Sequence, residues 1–176
     1  MLSLSLARAR NVRLMGFDVD GALTDGGLYF SAEGDTFKAF NSRDGLGMAK
    51  LLAGAGIRLA IITGRKSALV ERRAANLGID LVFQGVEDKR AVMAEVLARE
   101  GLDFSQAGYM GDDVVDLAIM RACGFAATVP DAHPLIKQCA HYVARAPAGL
   151  GAAREICEHI LRAQGKLDQA MSPYQE

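Results

Sequence analysis

The chain has 176 residues, of which 51% are hydrophobic and 6% aromatic, and this predicts one domain with an aliphatic core. A formal charge of -1 provides no basic field for nucleic acid or an anionic membrane, and no run approaches the ~20 apolar residues of a membrane-spanning helix. Three widely spaced cysteines without a CxxC pair argue against a disulfide scaffold or a zinc site, so we expect a soluble, cytoplasmic protein with a small-molecule partner.

Short apolar runs alternate with helix-length segments from one end of the chain to the other. The first segment, MLSLSLARARNVRL, is interrupted by arginines too early for a signal peptide. Residues 88–100 show helical spacing of apolar side chains, and Gly78 and Gly101 stand where helices commonly end. This alternation predicts a three-layer, Rossmann-like α/β sandwich with a central parallel sheet and a ligand site at the carboxyl ends of the strands. The runs predicted to be strands are residues 12–17, 57–62, 81–83, 107–110, 125–129 and 141–144.

Two segments depart from this alternation. Residues 26–40 predict a β-hairpin insert, which needs a packing partner because an isolated hairpin is marginal in water. Residues 165–176 are polar and lack an evident period, which predicts a flexible tail. No linker or repeat divides the chain, so residues 1–176 are predicted to form a single domain without a large cap domain.

Polar residues follow four of the predicted strands. Asp18 and Asp20 come directly after the first, Thr63 follows the second, Lys89 begins the helix after the third, and Asp112 follows the fourth. Each alone has a structural explanation, as a turn, a helix cap or a solvated side chain. Together at one sheet edge, the carboxylates would repel one another by several kcal/mol without a cation. All-oxygen ligation suits Mg²⁺, so the pattern favours a magnesium site that handles phosphate.

The motifs DVDGALTDG, ITGR, DK and GDDVVDLAIM resemble the four motifs of the haloacid dehalogenase superfamily of phosphotransferases. More narrowly, the chain resembles the capless 3-deoxy-D-manno-octulosonate 8-phosphate phosphatases, a family of lipopolysaccharide sugar synthesis. This second likeness runs nearly end to end, through TDGGLYFSAEGDTFKAFNSRDGLGMAKL, AIITGRKSALVERRAANLGI and GLGAAREICEHILRAQGKLDQA.

The resemblance implies a role for each residue at the strand ends. Asp18 would attack phosphorus and form an aspartyl-phosphate, while Asp20 would protonate the leaving sugar oxygen and then deprotonate the attacking water. Thr63 would hydrogen-bond the transferring phosphoryl group, and Lys89 would balance its charge. Magnesium would be held by the carboxylates of Asp18 and Asp112 and by the backbone carbonyl of Asp20.

Further residues are assigned supporting and substrate-binding roles by the same resemblance. Asp113 would orient a water ligand of the magnesium ion, and Asp116 would support the loop. Arg65 and Arg73 are candidates for binding the carboxylate of a sugar acid phosphate, because guanidinium groups pair with carboxylates in bidentate fashion. The residues after the hairpin that resemble a family stretch lining the pocket are Asn41, Arg43 and Asp44.

The resemblance also implies a homotetramer in which hairpins associate and active sites lie near subunit interfaces. Alternatives remain open at this stage. The motifs do not separate this substrate from a nine-carbon keto acid phosphate or from a broad range of sugar phosphates. A non-catalytic binding or assembly module is the distant alternative, disfavoured by the complete set of motif residues.

Overall fold

The computed structural model describes residues 2–175, with only the backbone described for residues 2, 3, 35 and 36. Within this range a parallel six-stranded sheet is flanked by helices, and the predicted fold class is confirmed. Residues 1 and 176, the ends of the predicted domain and tail, lie outside it. The central sheet has the order β5-β4-β1-β6-β7-β8. The strands are β1 (Leu14–Phe17), β2 (Tyr29–Ser31), β3 (Gly34–Phe37), β4 (Arg58–Thr63), β5 (Leu81–Gln84), β6 (Ala107–Met110), β7 (Phe125–Thr128) and β8 (Tyr142–Val143).

Helices cover both faces of the central sheet, which explains why β1, β6 and β7 are buried at every position and almost entirely apolar. Helices α1, α2 and α7 pack together on one face, and α4, α5 and α6 on the other. Helix α2 continues through a π-helical stretch, Gly47–Leu52. The α-helices are α1 (Leu2–Ala9), α2 (Ser42–Leu46), α3 (Ala68–Leu77), α4 (Lys89–Glu100), α5 (Leu117–Ala122), α6 (Pro134–Cys139), α7 (Ala152–Ala163) and α8 (Leu167–Met171).

The hairpin of β2 and β3 stands apart from the central sheet, as predicted. The rings of Tyr29 and Phe37 stack across it with centroids 4.3 Å apart. Two of its contacts with the rest of the chain are those of Phe30, which lies under Arg65, and of Lys38 just after β3, which pairs with Asp20. In residues 2–175 this hairpin forms the only second sheet, so the chain has no cap domain.

The carboxyl-terminal segment differs from its prediction. It contains α8 and a 3₁₀ turn, Ser172–Tyr174, instead of an irregular tail. Leu167, Ala170 and Met171 have the i, i+3, i+4 spacing of a helix face and pack against the core. Polar residues lie between them, so this short helical spacing is not evident in the sequence. Flexibility of the segment stays a prediction, and no helix within the described range is long and apolar enough to cross a membrane.

Candidate active site

Asp18 lies at the centre of the carboxyl edge of the sheet, directly after β1 and between β4 and β6. Its backbone N–H donates to the Met110 carbonyl at 2.9 Å, which continues the pairing of β1 with β6 beyond the strand. The loop then turns sharply at Gly21, which has φ +87°. A Cβ there would lie 2.1 Å from Asp112 Oδ2, so glycine is needed for the two loops to meet.

A buried lysine links two carboxylates at this edge. Lys89 Nζ lies 3.0 Å from Asp18 Oδ1 and 2.6 Å from Asp116 Oδ1. Burial alone would lower the pKa of Lys89, but the two carboxylates outweigh it and raise the pKa, so the lysine is a cation. Tyr109, fully buried, places its hydroxyl 2.8 Å from the Ile62 carbonyl and 3.2 Å from Asp116 Oδ1. Sequence reasoning missed Tyr109; its one signal was a hydroxyl inside an apolar run.

Asp112 is held by its backbone, whereas its carboxylate is under-coordinated. Its N–H donates to Asp116 Oδ2 at 3.1 Å, and its carbonyl accepts the His133 N–H at 2.9 Å. Asp112 Oδ1 is buried without a hydrogen-bond partner. Burial, reinforced by Asp18 and Asp116, raises the pKa of Asp112 to about 7. Burial and Asp116 likewise raise the pKa of Asp18 to about 6, against the opposing effect of Lys89.

These carboxylates fit a divalent cation. Oxygen atoms of Asp18, Asp112 and Asp116 lie within 4.8 Å of one another. Both oxygens of Asp116 already accept hydrogen bonds, whereas the buried Oδ1 atoms of Asp18 and Asp112 accept none of good geometry. Asp18 and Asp112 are therefore the better ligands, and an oxygen-only set suits Mg²⁺. Asp113 is exposed and caps the following 3₁₀ turn through the Val114 N–H at 2.7 Å.

Two cations flank the carboxylate of Asp20. Lys38 pairs with Oδ1, and Arg65 Nε lies 3.6 Å from Oδ2. The Arg65 guanidinium in turn lies 5.5 Å from the centroid of the Phe30 ring. Arg65 was singled out from the sequence, but Lys38 was not, because nothing in the sequence showed that the end of the hairpin folds back to this loop.

Thr63 ends β4 on the other side of β1. The register pairs Phe17 with Ile61, so Thr63 lies level with the residues that follow Asp18. It is 2% exposed. The structure therefore brings together the predicted aspartates, Lys89 and Thr63 from four strand ends.

The other predicted substrate-binding residues make contacts within the scaffold. Arg73 donates to the Asn41 carbonyl at 3.1 Å and lies over the Phe40 ring. Asn41 caps α2 by accepting the Arg43 N–H at 2.9 Å, and Arg43 donates to the Leu150 carbonyl at 3.1 Å. These bonds join α2, α3 and the start of α7, and a role in binding substrate stays a prediction.

Asp44 is a buried carboxylate in the same junction. It accepts the backbone N–H groups of Gly151 at 3.2 Å and Arg154 at 2.8 Å, so it caps α7 from a distant part of the chain. Burial raises the pKa of Asp44, although these bonds oppose the shift. Just before α7, Gly149 has φ +64°, and a Cβ there would lie 2.7 Å from the carbonyl carbon of Thr24. The cap of α7 is therefore packed on the loop that carries Asp18.

Known proteins resemble the chain over most of its length, although no family model matches it. The 3-deoxy-D-manno-octulosonate 8-phosphate phosphatase KdsC of Escherichia coli (strain K12) is 45% identical over 165 residues, which are 94% of this chain and 87% of that protein. The crystal structure of a probable YrbI family phosphatase from Pseudomonas syringae has a TM-score of 0.96 and 47% identity, covering 99% of this chain and 98% of its own. The 3-deoxy-D-manno-octulosonate 8-phosphate phosphatase of Moraxella catarrhalis, solved with magnesium ion, phosphate ion and KDO, has a TM-score of 0.96 and 39% identity, covering 99% of this chain and all of its own.

Proposed function

Because the chain belongs to the 3-deoxy-D-manno-octulosonate 8-phosphate phosphatase family of the haloacid dehalogenase superfamily, we propose that it hydrolyses that sugar acid phosphate in lipopolysaccharide sugar synthesis. The observation that supports this most is the cluster around Asp18. Lys89 lies 3.0 Å from Asp18, and Asp112 keeps a buried oxygen without a hydrogen bond. A buried, under-coordinated pair of carboxylates is costly in a purely structural role.

In the first step, Asp18 is the nucleophile. Its carboxylate oxygen forms a bond to phosphorus while the bond from phosphorus to the sugar oxygen breaks. The electron pair of the broken bond goes to the sugar oxygen, which takes a proton from Asp20. The products are the free sugar acid and an aspartyl-phosphate. Lys89 and Thr63 stabilise the phosphoryl oxygens during the transfer.

In the second step, water displaces Asp18. Asp20, now a carboxylate, takes a proton from the water as its oxygen bonds to phosphorus. The bond between phosphorus and Asp18 breaks, and inorganic phosphate leaves. Asp18 and Asp20 thus return to their starting forms, and each turnover consumes one water.

The carboxylates of Asp18 and Asp112, with the carbonyl of Asp20, would hold magnesium, which when bound supplies positive charge beside the phosphoryl group. Asp116 keeps Lys89 and the Asp112 backbone in place through its two hydrogen-bonded oxygens. We assign Asp113 the orientation of water near this group. Without a bound cation, the negative charge of Asp18, Asp112 and Asp116 would oppose the approach of a phosphate dianion.

Arg65 is the first candidate for the substrate carboxylate. It lies at the edge of the site, beside Asp20, and its side chain is 44% exposed. Arg73, Asn41 and Arg43 would complete the pocket wall; the bonds they make to the scaffold hold them in fixed positions.

We further propose a homotetramer assembled through the hairpins, with active sites near the interfaces. The hairpin exposes four large apolar side chains, each 40–59% exposed in the single chain. These are Leu28, Tyr29, Phe30 and Phe37. Light scattering should give four chain masses, and Phe37→Asp should lower that number. Free cysteines at 123, 139 and 157 accord with a cytoplasmic location.

Two measurements test the proposed function. Asp18→Asn should lose magnesium-dependent phosphate release by at least about 10³-fold, since it removes the nucleophile; a fully active variant would show that Asp18 is not the nucleophile. A panel of 3-deoxy-D-manno-octulosonate 8-phosphate, a nine-carbon keto acid phosphate and neutral sugar phosphates then tests the substrate. We expect the eight-carbon acid to have the highest kcat/KM, and equal values for all would refute the narrow specificity.

A further inference from the structure

The hairpin is joined to the catalytic loop by two contacts that converge on one carboxylate. Lys38, immediately after β3, reaches Asp20 Oδ1, and the Lys38 side chain is only 3% exposed. Phe30, on β2, lies under the guanidinium of Arg65, whose Nε is 3.6 Å from Asp20 Oδ2. The hairpin segment therefore places a cation beside each oxygen of Asp20, Lys38 directly and Arg65 through its contact with Phe30.

The position of Lys38 is not explained by stability alone. A lysine buried to this degree loses hydration and side-chain freedom, and both losses oppose folding. Its partner is not a structural carboxylate but the group assigned to proton transfer. Lys89 and Asp116 form a separate pair around Asp18, so the two aspartates are held by different cations.

The orientation of Asp20 matters because its proton must reach the leaving oxygen. A general acid or base acts within about 2.6–3.2 Å of the atom it serves, and a misplacement of about 1 Å can cost ~100-fold in rate. A carboxylate at the mouth of a capless site has several rotamers available. A cation beside each of its oxygens favours one of these rotamers.

We propose that the hairpin is the positioning element of the proton-transfer step, with Lys38 holding Asp20 directly and Phe30 holding it through Arg65. Lys38 is thus a positioning residue for Asp20. The inference rests on the proposed function, in which Asp20 protonates the leaving oxygen. It adds that the insert serves the chemistry of its own chain, apart from any role in assembly.

The test uses a series of substituted phenyl phosphates whose leaving groups differ in pKa. For each enzyme, log kcat/KM is plotted against the pKa of the leaving group. Protonation by a general acid accelerates the reaction most when the leaving group has a high pKa. A misplaced Asp20 therefore makes the slope of log kcat/KM against leaving-group pKa more negative. Lys38→Met should lower kcat/KM for phenyl phosphate by about 10- to 100-fold, and for the most acidic phenol by only about threefold. The slope does not depend on the fraction of active enzyme, because partial misfolding lowers every rate equally.

Four further variants make the result decisive. Asp20→Asn should steepen the slope at least as much as Lys38→Met, and Lys38→Arg should restore the wild-type slope because it keeps the cation. Lys50→Met is the matched control: Lys50 is exposed and lines a separate surface depression with Lys166, so its slope and rates should be unchanged. Lys38→Gln is measured in parallel with Lys38→Met, because Gln removes the positive charge but keeps a polar group at the end of the side chain.

The outcomes separate the two proposals. If Asp20→Asn steepens the slope but Lys38→Met and Lys38→Gln leave it unchanged, the hairpin does not position Asp20 and the inference is wrong. A parallel fall for all substrates in Lys38→Met and Lys38→Gln also overturns it, because the slope, and with it the help that Asp20 gives to the leaving group, is then unchanged. If Asp20→Asn itself keeps the wild-type slope, the proposed proton-transfer role fails first.

Discussion

Replacing Asp112 by Asn should stabilise the magnesium-free protein at alkaline pH and remove its stabilisation by magnesium. Asn has nearly the same shape as Asp but no charge, so the change leaves packing largely intact. In the metal-free protein, Asp112 is partly buried beside Asp18 and Asp116, and its Oδ1 has no hydrogen-bond partner. Its ionisation is therefore a cost that the metal normally offsets.

The size of that cost follows from the pKa of Asp112. The folded value of about 7 stands roughly 3 pKa units above the ordinary 3.8, and each unit corresponds to ~1.4 kcal/mol. Because Asp112 is only partly buried, we reduce the resulting ~4 kcal/mol to about 2 kcal/mol. A raised folded pKa means that the folded state holds the proton more tightly than the unfolded state. The cost is thus absent well below pH 3.8, grows as pH rises towards 7, and is full above pH 7.

Calorimetry in EDTA at pH 8.5 should show the melting temperature of Asp112→Asn about 4–8 °C above that of the wild type. At pH 5 the difference in melting temperature between the variant and the wild type should be about a third of the difference at pH 8.5. Added magnesium should raise the melting temperature of the wild type but scarcely that of the variant. Asp103→Asn is the matched control, since Asp103 is exposed, caps the turn before β6 at the opposite edge of the sheet, and Asn also caps helices well. An Asp112→Asn protein no more stable than the wild type at pH 8.5 would show that the carboxylate cluster is not electrostatically strained without its metal.

Three other predictions follow from the same structure. Magnesium binding requires ionised Asp112 and Asp18, whose pKa values are about 7 and 6, so the apparent Kd should rise by about tenfold or more between pH 8 and pH 6 by titration calorimetry. Asp44→Ala removes the acceptor for two N–H groups of α7, and urea denaturation should show a loss of about 2 kcal/mol. Gly149→Ala forces a Cβ against the Thr24 backbone at positive φ and should cost about 1–3 kcal/mol in the same assay. A Kd independent of pH would contradict the requirement for ionised Asp112 and Asp18. An Asp44→Ala or Gly149→Ala protein as stable as the wild type would contradict the stabilising role of the contact that the variant changes.

The sheet could be predicted because its signal is local. A strand buried on both faces is apolar at every position, and the Ala107–Met110 strand matches its predicted range. Because the carboxyl ends of parallel strands meet at one edge, the positions of Asp18, Thr63 and Asp112 in the chain were enough to place them together. The capping glycines Gly78 and Gly101 were likewise predicted from local sequence.

Other features depend on contacts between distant parts of the chain. The short apolar period of α8 was hidden among polar residues, and only docking on the core identifies it. The side chain of Lys38 looks like that of any surface lysine in the sequence, and its burial against Asp20 arises because the hairpin folds back over the loop. Arg73 was selected from the sequence as a candidate for the substrate carboxylate, and its hydrogen bond to the Asn41 carbonyl is visible only once α3 is placed beside α2.

The sequence by itself determined the fold class, the hairpin and the identity of the residues around Asp18, because periodicity and the order of strand ends encode them. Only the tertiary structure decided how the charges are paired. Asp18 shares Lys89 with Asp116, Asp20 is flanked by Lys38 and Arg65, and Asp112 keeps an unpaired buried oxygen. The physical reason is that pairing depends on distances of about 3 Å between side chains from different elements. Such distances are set by packing, which no local pattern in the chain records.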